Sequence, residues 1–130
     1  MSLAEKLPID TQTLIELWEY SLKESEAKGR EAVINAANLE FIAANIQRMI
    51  DKRTDKIRII SYALWSVITM HPFTDGNHRT AVTLFYYLGK ILEVPKIEAI
   101  LDDDKIPEYV RTVDNKTLEQ VHAELKKMLS

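Results

Sequence analysis

The feature that most constrains this chain's fold is a short stretch, His71 to Arg79, that cannot continue a helix. Pro72 lacks a backbone N–H and pushes the residue before it out of helical geometry, so the apolar helical pattern ahead of it must end at about Met70. A second apolar run begins just beyond the stretch, at Ala81. The sequence therefore predicts two helices joined by a tight loop that opens into the second helix.

The other segments also show helical spacing, and no strand pattern stands out. Apolar residues recur at three- and four-residue steps along three segments that precede the loop. These residues are Leu14, Ile15, Trp18 and Leu22; then Ile34, Ala37, Phe41, Ile42, Ile46, Met49 and Ile50; then Ile57, Ile60, Leu64, Val67 and Ile68. The run from Ala81 to Leu88 is apolar on nearly every side, which is typical of a helix in the middle of a bundle, and Gly89 is the expected left-handed terminator.

Short polar residues and one proline predict where helices begin. The expected N-caps are Asp10 or Thr11 for the first helix and Thr54 or Asp55 for the third. Pro95 predicts a short helix over residues 96–101, followed by an acidic turn at 102–104, and a last helix is expected from about residue 116. We therefore expect an all-α fold, a compact bundle of five to seven helices around a central buried helix, with residues 1–130 forming one domain.

Composition limits the classes of partner. With 46% hydrophobic and 28% charged residues the chain is typical of a soluble globular protein, and its net charge of -3 argues against nucleic acid as the main partner. The basic segment Arg48 to Arg58 has no interleaved aromatic residue, which favours a solvated turn over a nucleic-acid patch. Without cysteines, disulfides and thiolate metal sites are excluded, in agreement with the cytoplasm. No apolar run is long enough to suggest a membrane span.

The loop contains the groups that phosphate binding requires. The first amides of a helix have no partner inside the helix and lie at the positive end of its dipole, so a loop entering a buried helix favours anions. Gly76 lets the backbone approach a phosphate, the Asn77 side chain can donate its amide, and the planar Arg79 guanidinium can bind two oxygens at once. Together these residues predict a polyphosphate site.

Two further residues predict group transfer at that site. Asp75 is available to hold Mg²⁺, which prefers carboxylate and phosphate oxygens. Histidine titrates near neutral pH, so His71 can act as a general base on an incoming hydroxyl. A metal site of His71, Asp75 and His78 is an alternative, although the intervening Pro72 and Gly76 argue against the shared helical face that it needs.

A resemblance to a known family is carried by the run HPFTDGNHRTA, residues 71–81. It resembles the signature of the Fic/Doc family, most closely its Doc (death-on-curing) branch. The resemblance implies a helical fold and the following roles: His71 as the catalytic histidine, Asp75 as the Mg²⁺ ligand, and Gly76, Asn77, His78 and Arg79 as the phosphate- and nucleotide-binding residues.

Two departures from the family pattern bear on the reaction. Members that transfer AMP from ATP usually have a second glycine where this chain has His78, and a second arginine where it has Val82. Doc-like members, which transfer the γ-phosphate instead, have lysine at the position of His78 and lack the second arginine. The resemblance therefore implies transfer of the γ-phosphate of ATP to a protein hydroxyl, with Mg²⁺. AMP transfer is the first alternative, and a module that only binds a nucleotide or a partner is the second.

The resemblance also implies partners. The inhibitory helix of the family carries Ser or Thr followed four residues later by Glu, and no Ser or Thr of this chain has that neighbour. A separate antitoxin chain is therefore expected, as in Doc-type toxin pairs, together with a target protein for which translation factors are candidates. The family's target-docking flap is expected within residues 29–45.

Overall fold

The computed structural model describes residues 9–23, 35–73, 76–101 and 104–130. Within these ranges the chain is all-α, as expected, and the predicted number of helices is confirmed. The elements are α1 (Thr11–Lys23), α2 (Ala36–Asp51), α3 (Lys56–Met70), α4 (Asn77–Ile91), α5 (Ile97–Leu101), α6 (Lys105–Tyr109), a 3-10 helix (Val110–Thr112) and α7 (Leu118–Met128).

Helices α3 and α4, which flank the loop, form the centre of the bundle. α4 packs against α1, α3, α5, α6 and the 3-10 helix, so the expected central position of the helix after the loop is confirmed. α3 is the more continuously buried of the two, from Ile59 through Leu64. Its buried serines bond within their own helix: Ser61 Oγ donates to the Ile57 carbonyl at 2.6 Å, and Ser66 Oγ donates to the Ala63 carbonyl at 3.3 Å. A polar group can be buried at small cost when it is satisfied in this way.

The role expected for Gly89 is wrong. α4 does not end there but continues to Ile91, with Leu92 as its C-cap in right-handed helical geometry. Gly89 instead allows α5 to pack closely, since a Cβ at this position would lie 2.7 Å from both Cδ1 and Cγ1 of Ile97. The missing side chain therefore serves helix packing rather than chain reversal.

The N-caps of three helices are aspartate or threonine side chains. Asp10 and Asp55 each accept a hydrogen bond from the amide three residues on, at 2.9 and 3.1 Å, so they and not Thr11 or Thr54 cap α1 and α3. Thr117 caps α7 in a reciprocal capping box. These bonds satisfy first-turn amides that otherwise have no partner in the helix.

The buried face of α2 differs from the expected one. Leu39, Ile42, Ala43 and Ile46 are buried, and they follow the helical spacing of a single face. Ala37 and Phe41, which were expected inside, are exposed, and Phe41 keeps 53% of its surface accessible. α2 has more apolar residues than one face can hold, so the packing partner decides which of them are buried. Ile34 lies outside the described residues.

The segment between α5 and α7 contains α6 and the 3-10 helix, which the sequence did not predict. Pro107 falls in the first turn of α6, where a backbone N–H would have no partner inside the helix. The N–H that proline lacks therefore costs the helix no hydrogen bond. The short helix expected from Pro95 is confirmed as α5. Of the acidic turn expected at 102–104, Asp104 is the N-cap of α6, while residues 102 and 103 lie outside the described ranges.

The turn that leads into α7 is held at several points. Val113 is fully buried, its carbonyl accepts from the Lys116 amide at 2.9 Å, and the Trp65 indole of α3 donates to the Lys116 carbonyl at 2.9 Å. Glu124 of α7 accepts from the Tyr109 hydroxyl at 2.6 Å and from the Lys116 ammonium at 2.9 Å. The turn is thereby fixed to α3 through Trp65 and to α7 through Glu124.

The basic segment forms the end of α2, a turn and the start of α3. Arg53 is exposed with a left-handed φ of 56°, and Arg58 pairs with Glu119 of α7 at 2.7 Å. The Arg58 guanidinium also lies 3.3 Å from Nδ1 of His122 of α7. Across the part of the chain that is described, no helix has both the length and the apolar character needed to cross a membrane.

Gly89→Ala is expected to lower the free energy of unfolding by about 1 kcal/mol. Overpacking against Ile97 costs about 1–3 kcal/mol, while alanine recovers about 1 kcal/mol of helix propensity. Urea denaturation checks the sign. Combining the change with Ile97→Val, which removes Cδ1, should reduce the loss, and a Gly89→Ala protein more stable than the parent would contradict this packing argument.

The Tyr109 hydroxyl and the Lys116 ammonium lower the pKa of Glu124 below its ordinary value of 4.5. A carboxyl whose pKa is depressed by folding stabilises the protein above its unfolded pKa, and the stabilisation is lost as pH falls through the folded pKa. Tyr109→Phe removes the larger cause. We expect the free energy of unfolding to fall less between about pH 6 and pH 3 in this variant than in the parent. Tyr20→Phe, at an exposed tyrosine, should leave the pH dependence unchanged.

Candidate active site

His71 lies at the end of α3 in a backbone conformation unusual for a residue with a side chain. It is the C-cap, with φ 45° and ψ 62° in the left-handed region, and Pro72 follows it. The proline prevents the chain from continuing as a helix, so the backbone turns at His71. The imidazole is exposed, and among the described residues it has no hydrogen bond or ion pair. It is therefore free to meet a substrate.

The beginning of α2 holds the backbone on both sides of His71. Asn38 Nδ2 donates to the Met70 carbonyl at 2.8 Å, satisfying one of the carbonyls that the end of α3 leaves without a helical partner. The Asn35 amide donates to the Pro72 carbonyl at 3.3 Å, and its side chain caps α2. These two hydrogen bonds fix the backbone immediately before and after His71. The flap expected within residues 29–45 falls partly in 29–34, outside the described residues.

Phe73 and Asn77 close the loop from inside. Phe73 is 1% exposed and stacks on Trp18 of α1, with ring centroids 5.6 Å apart, so it anchors the loop to the core. The Asn77 side chain bonds both backbone polar groups of Phe73: Oδ1 accepts from its amide at 3.1 Å and Nδ2 donates to its carbonyl at 3.0 Å. The side-chain amide that the sequence assigned to phosphate is thus engaged with the loop. Asn77 still contributes its backbone N–H to the start of α4.

The first turn of α4 presents the groups expected of an anion site. Gly76 is the N-cap with φ 73°, a conformation that suits glycine, and it has no side chain to occupy the helix end. The first bond inside the helix runs from the Thr80 amide to the Gly76 carbonyl at 2.9 Å, so the amides of Asn77, His78 and Arg79 precede it. The Arg79 side chain is exposed and has no partner among the described residues. These groups fit a phosphate.

His78 has a partner that sequence reasoning missed. Its Nε2 lies 3.2 Å from Oδ2 of Asp114, in the turn between the 3-10 helix and α7, and both side chains are nearly half exposed. No motif links two residues this far apart in the chain. The contact arises only because the fold brings that turn to the start of α4.

Two expectations concern metal binding: Asp75 as a Mg²⁺ ligand, and a metal site formed by His71, Asp75 and His78. Asp75 lies outside the described residues, so its role as a Mg²⁺ ligand stays a prediction. His71 ends α3 whereas His78 belongs to α4, so these two do not share one helical face, as the metal alternative required. Within the described ranges, no three side chains of metal-ligating type gather together.

The sequence profile of the Fic/DOC family matches residues 8–88. The chain belongs to the Fic/DOC family. The match runs from just before α1 into α4 and includes the whole loop, while Asp114 falls beyond it. Members of this family are typically transferases that modify proteins. Among curated proteins, none matched the chain.

The second departure from the Fic/DOC pattern also has a clear position. Val82, where a second arginine is usual in AMP-transferring members, is partly buried and packs against the core. In the first turn of α4, Thr80 is fully buried with Oγ1 3.4 Å from Ser21 Oγ of α1. Thr80 and Val82, which both follow Arg79, thus anchor this part of α4 to the core. Arg79 is the one arginine in the sequence of α4.

Asn77→Ala is expected to lower the free energy of unfolding by about 2 kcal/mol, because it leaves two buried backbone groups of Phe73 without partners. Asn45→Ala is the matched control, since it removes one half-buried bond to the Tyr62 hydroxyl and should cost about 1 kcal/mol or less. Urea denaturation of the two variants compares these costs. An Asn77→Ala loss no larger than that of Asn45→Ala would show that the loop does not depend on this side chain.

Proposed function

We propose that this Fic/DOC protein is a Doc-like, Mg²⁺-dependent transferase that moves the γ-phosphate of ATP onto a hydroxyl of a target protein. It would act as the toxin of a toxin–antitoxin pair in the cytoplasm. The observation that carries this proposal is the arrangement around one loop. His71, at the end of α3, has no partner among the described residues; a short loop leads from it to the N-terminus of α4, where Arg79 likewise has none.

Each group has a role in the proposed reaction. His71 takes the proton from the target hydroxyl as its oxygen forms a bond to the γ-phosphorus, and the bond to the bridging oxygen breaks to release ADP. The first amides of α4 and the Arg79 guanidinium hold phosphate oxygens. Mg²⁺ supplies neutralisation of the phosphate charge, and Asp75 is the residue that we expect to hold it.

The left-handed backbone of His71 supports its assignment as the base. Such a conformation costs free energy in a residue with a side chain, and it persists when the surroundings impose it. Here Pro72 and the two asparagine hydrogen bonds of α2 impose it. A histidine held in this way keeps its ring at the mouth of the loop, where a target hydroxyl would approach.

Transfer of the γ-phosphate is favoured over transfer of AMP by two side chains of α4. His78 fills the position where AMP-transferring relatives of the family have a glycine, which reduces the room for phosphate. Val82 gives an apolar, core-packed side chain where those members have a second cation. AMP transfer remains the first alternative. Because no Ser or Thr of the chain is followed four residues later by Glu, we infer that inhibition comes from a separate antitoxin.

The test uses candidate translation factors and ATP labelled at either the α- or the γ-phosphate. We expect label on the target protein from γ-labelled ATP only. Label from α-labelled ATP would replace this proposal with AMP transfer. Nucleotide binding without transfer to any target would favour the binding module, and no binding of Mg²⁺-ATP at all would overturn the proposed site.

Two variants with matched controls assign the roles. His71→Ala should reduce transfer roughly 10²- to 10⁴-fold while nucleotide binding persists, because it removes the base and not the phosphate site. Arg79→Ala should weaken nucleotide binding roughly tenfold. The controls are His122→Gln and Arg53→Ala. Both positions lie near the start of α3, whereas His71 lies at its end. The 15 residues of α3 span about 22 Å, so both changes should leave transfer intact.

A further inference from the structure

We propose that the target protein docks through a basic segment in an acidic groove, whose walls are residues 9–11 and the α2 residues between Glu40 and Asp51. This inference rests on the proposed function. It deepens that function by naming the surface that recruits the target and the chemistry of the segment that fits it. Asp10, Gln47 and Asp51 of the groove lie outside residues 29–45, where the family's target-docking flap is expected.

The position of the groove suits a substrate better than an inhibitor that blocks the nucleotide. Its volume is about 510 Å³, which is within the range of clefts that bind ligands. None of the described residues that line it belongs to the loop or to α4. An occupant would therefore leave the start of α4 open to a nucleotide.

Carboxylates dominate the charge of the groove. Its described lining residues include one cation, Arg48, and three carboxylates, those of Asp10, Glu40 and Asp51. The Arg48 guanidinium donates to Asn45 Oδ1 at 3.2 Å, and Asn45 bonds the Tyr62 hydroxyl, so the cation is held toward the flank of α2 that faces α3. The Glu40 side chain is exposed and has no partner among the described residues. A positively charged side chain is the complement of this surface.

Hydrogen bonds fix both walls of the groove before a partner arrives. Gln47 joins them, because its Oε1 accepts from the Ile9 amide at 2.7 Å and its Nε2 donates to Asp51 Oδ1 at 2.9 Å. Asp10 is held as the cap of α1 by the Thr13 amide at 2.9 Å. Two of the three carboxylates are therefore already in place, which reduces the free energy lost to ordering when a ligand binds.

The groove also offers apolar surface, which distinguishes a basic side chain from a free metal ion. Ile9 and Ala43, which are 2% and 3% exposed, line it together with Ala44. The methylene stem of a lysine or arginine can pack on such residues while its charged end reaches the carboxylates. A bare cation has no stem to bury. The lining therefore fits a basic segment of a protein.

Helix α2 connects the groove to the catalytic base. Asn38, which bonds the Met70 carbonyl just before His71, is also part of α2. Glu40 lies two residues further on, about 3 Å along the helix axis. Phe41 follows it with 53% of its surface accessible, and aromatic residues are enriched in interfaces. A segment bound along α2 would bring a nearby hydroxyl to His71, so binding away from the reacting atoms would orient the acceptor.

The first test measures peptide binding to the parent protein without nucleotide, by fluorescence anisotropy. The probes are labelled twelve-residue peptides with a central threonine and one leucine, in which two lysines or two glutamates are placed in turn at the other positions. We expect lysine peptides to bind and glutamate peptides not to bind. Failure of every lysine peptide to bind, or equal binding by the glutamate series, would overturn the inference.

Variants with matched controls locate the binding surface. Glu40→Lys should weaken binding of the lysine peptides roughly tenfold and strengthen binding of the glutamate peptides, because it reverses a charge in the groove. Glu108→Lys makes the same change at an exposed glutamate of α6 and should alter neither. Phe41→Ala should weaken binding roughly fivefold, whereas Tyr20→Ala, at another exposed aromatic residue, should not. Equal effects in a variant and its control would contradict the assigned surface.

The second test uses a target protein that becomes labelled in the transfer assay. Glu40→Lys and Phe41→Ala should raise the KM for this target and leave kcat and the KM for Mg²⁺-ATP unchanged. An unchanged KM for the target would overturn the docking role while the proposed function stands. Sedimentation velocity showing a dimer that Glu40→Lys dissociates would assign the groove to a second copy instead. If the parent binds no Mg²⁺-ATP, the proposed function fails and the docking role fails with it, even where lysine peptides bind.

Discussion

The two hydrogen bonds between the Asn77 side chain and the backbone of Phe73 are the interaction on which the rest of the site depends. Phe73 is buried against Trp18, so its amide and carbonyl are removed from water and must find partners within the protein. Asn77 supplies both partners with one side chain, and it is also the first residue of α4. The bond that satisfies the buried loop therefore also fixes where the helix begins. The proposed phosphate site takes its position from this arrangement.

The same arrangement explains how the proposed site would bind an anion through its backbone. With the Asn77 side chain engaged, the first turn of α4 offers amides and the single guanidinium of Arg79 to a ligand. Backbone amides at a helix start are fixed in direction and need no reorganisation when a ligand binds. His71 is held with comparable precision from the other side, by hydrogen bonds from Asn35 and Asn38. The two halves of the site are therefore positioned by different helices that meet at one loop.

The sequence predicted those features that local chemistry decides, and it missed those that packing decides. Proline sets the end of α3 at Met70, and a large aromatic residue in a polar loop must turn inward, so both were predictable. The exposure of Phe41 and the place of Gly89 inside α4 depend on which surface meets which neighbour. Within the site, His71, Gly76 and Arg79 share one motif, but Asp114 reaches His78 from a turn 36 residues away, and no local pattern records such a contact.

The charge balance of the site links its two departures from the family pattern. Val82 gives a partly buried apolar residue where a second arginine would stand, so Arg79 is the one side chain of α4 near the loop that is charged at every working pH. In the proposed reaction, Mg²⁺ would supply the remaining neutralisation of a polyphosphate. His78 stands where Doc-like members have lysine, and its Nε2 lies 3.2 Å from Oδ2 of Asp114, so the second departure joins the start of α4 to a turn of the fold that lies beyond the motif.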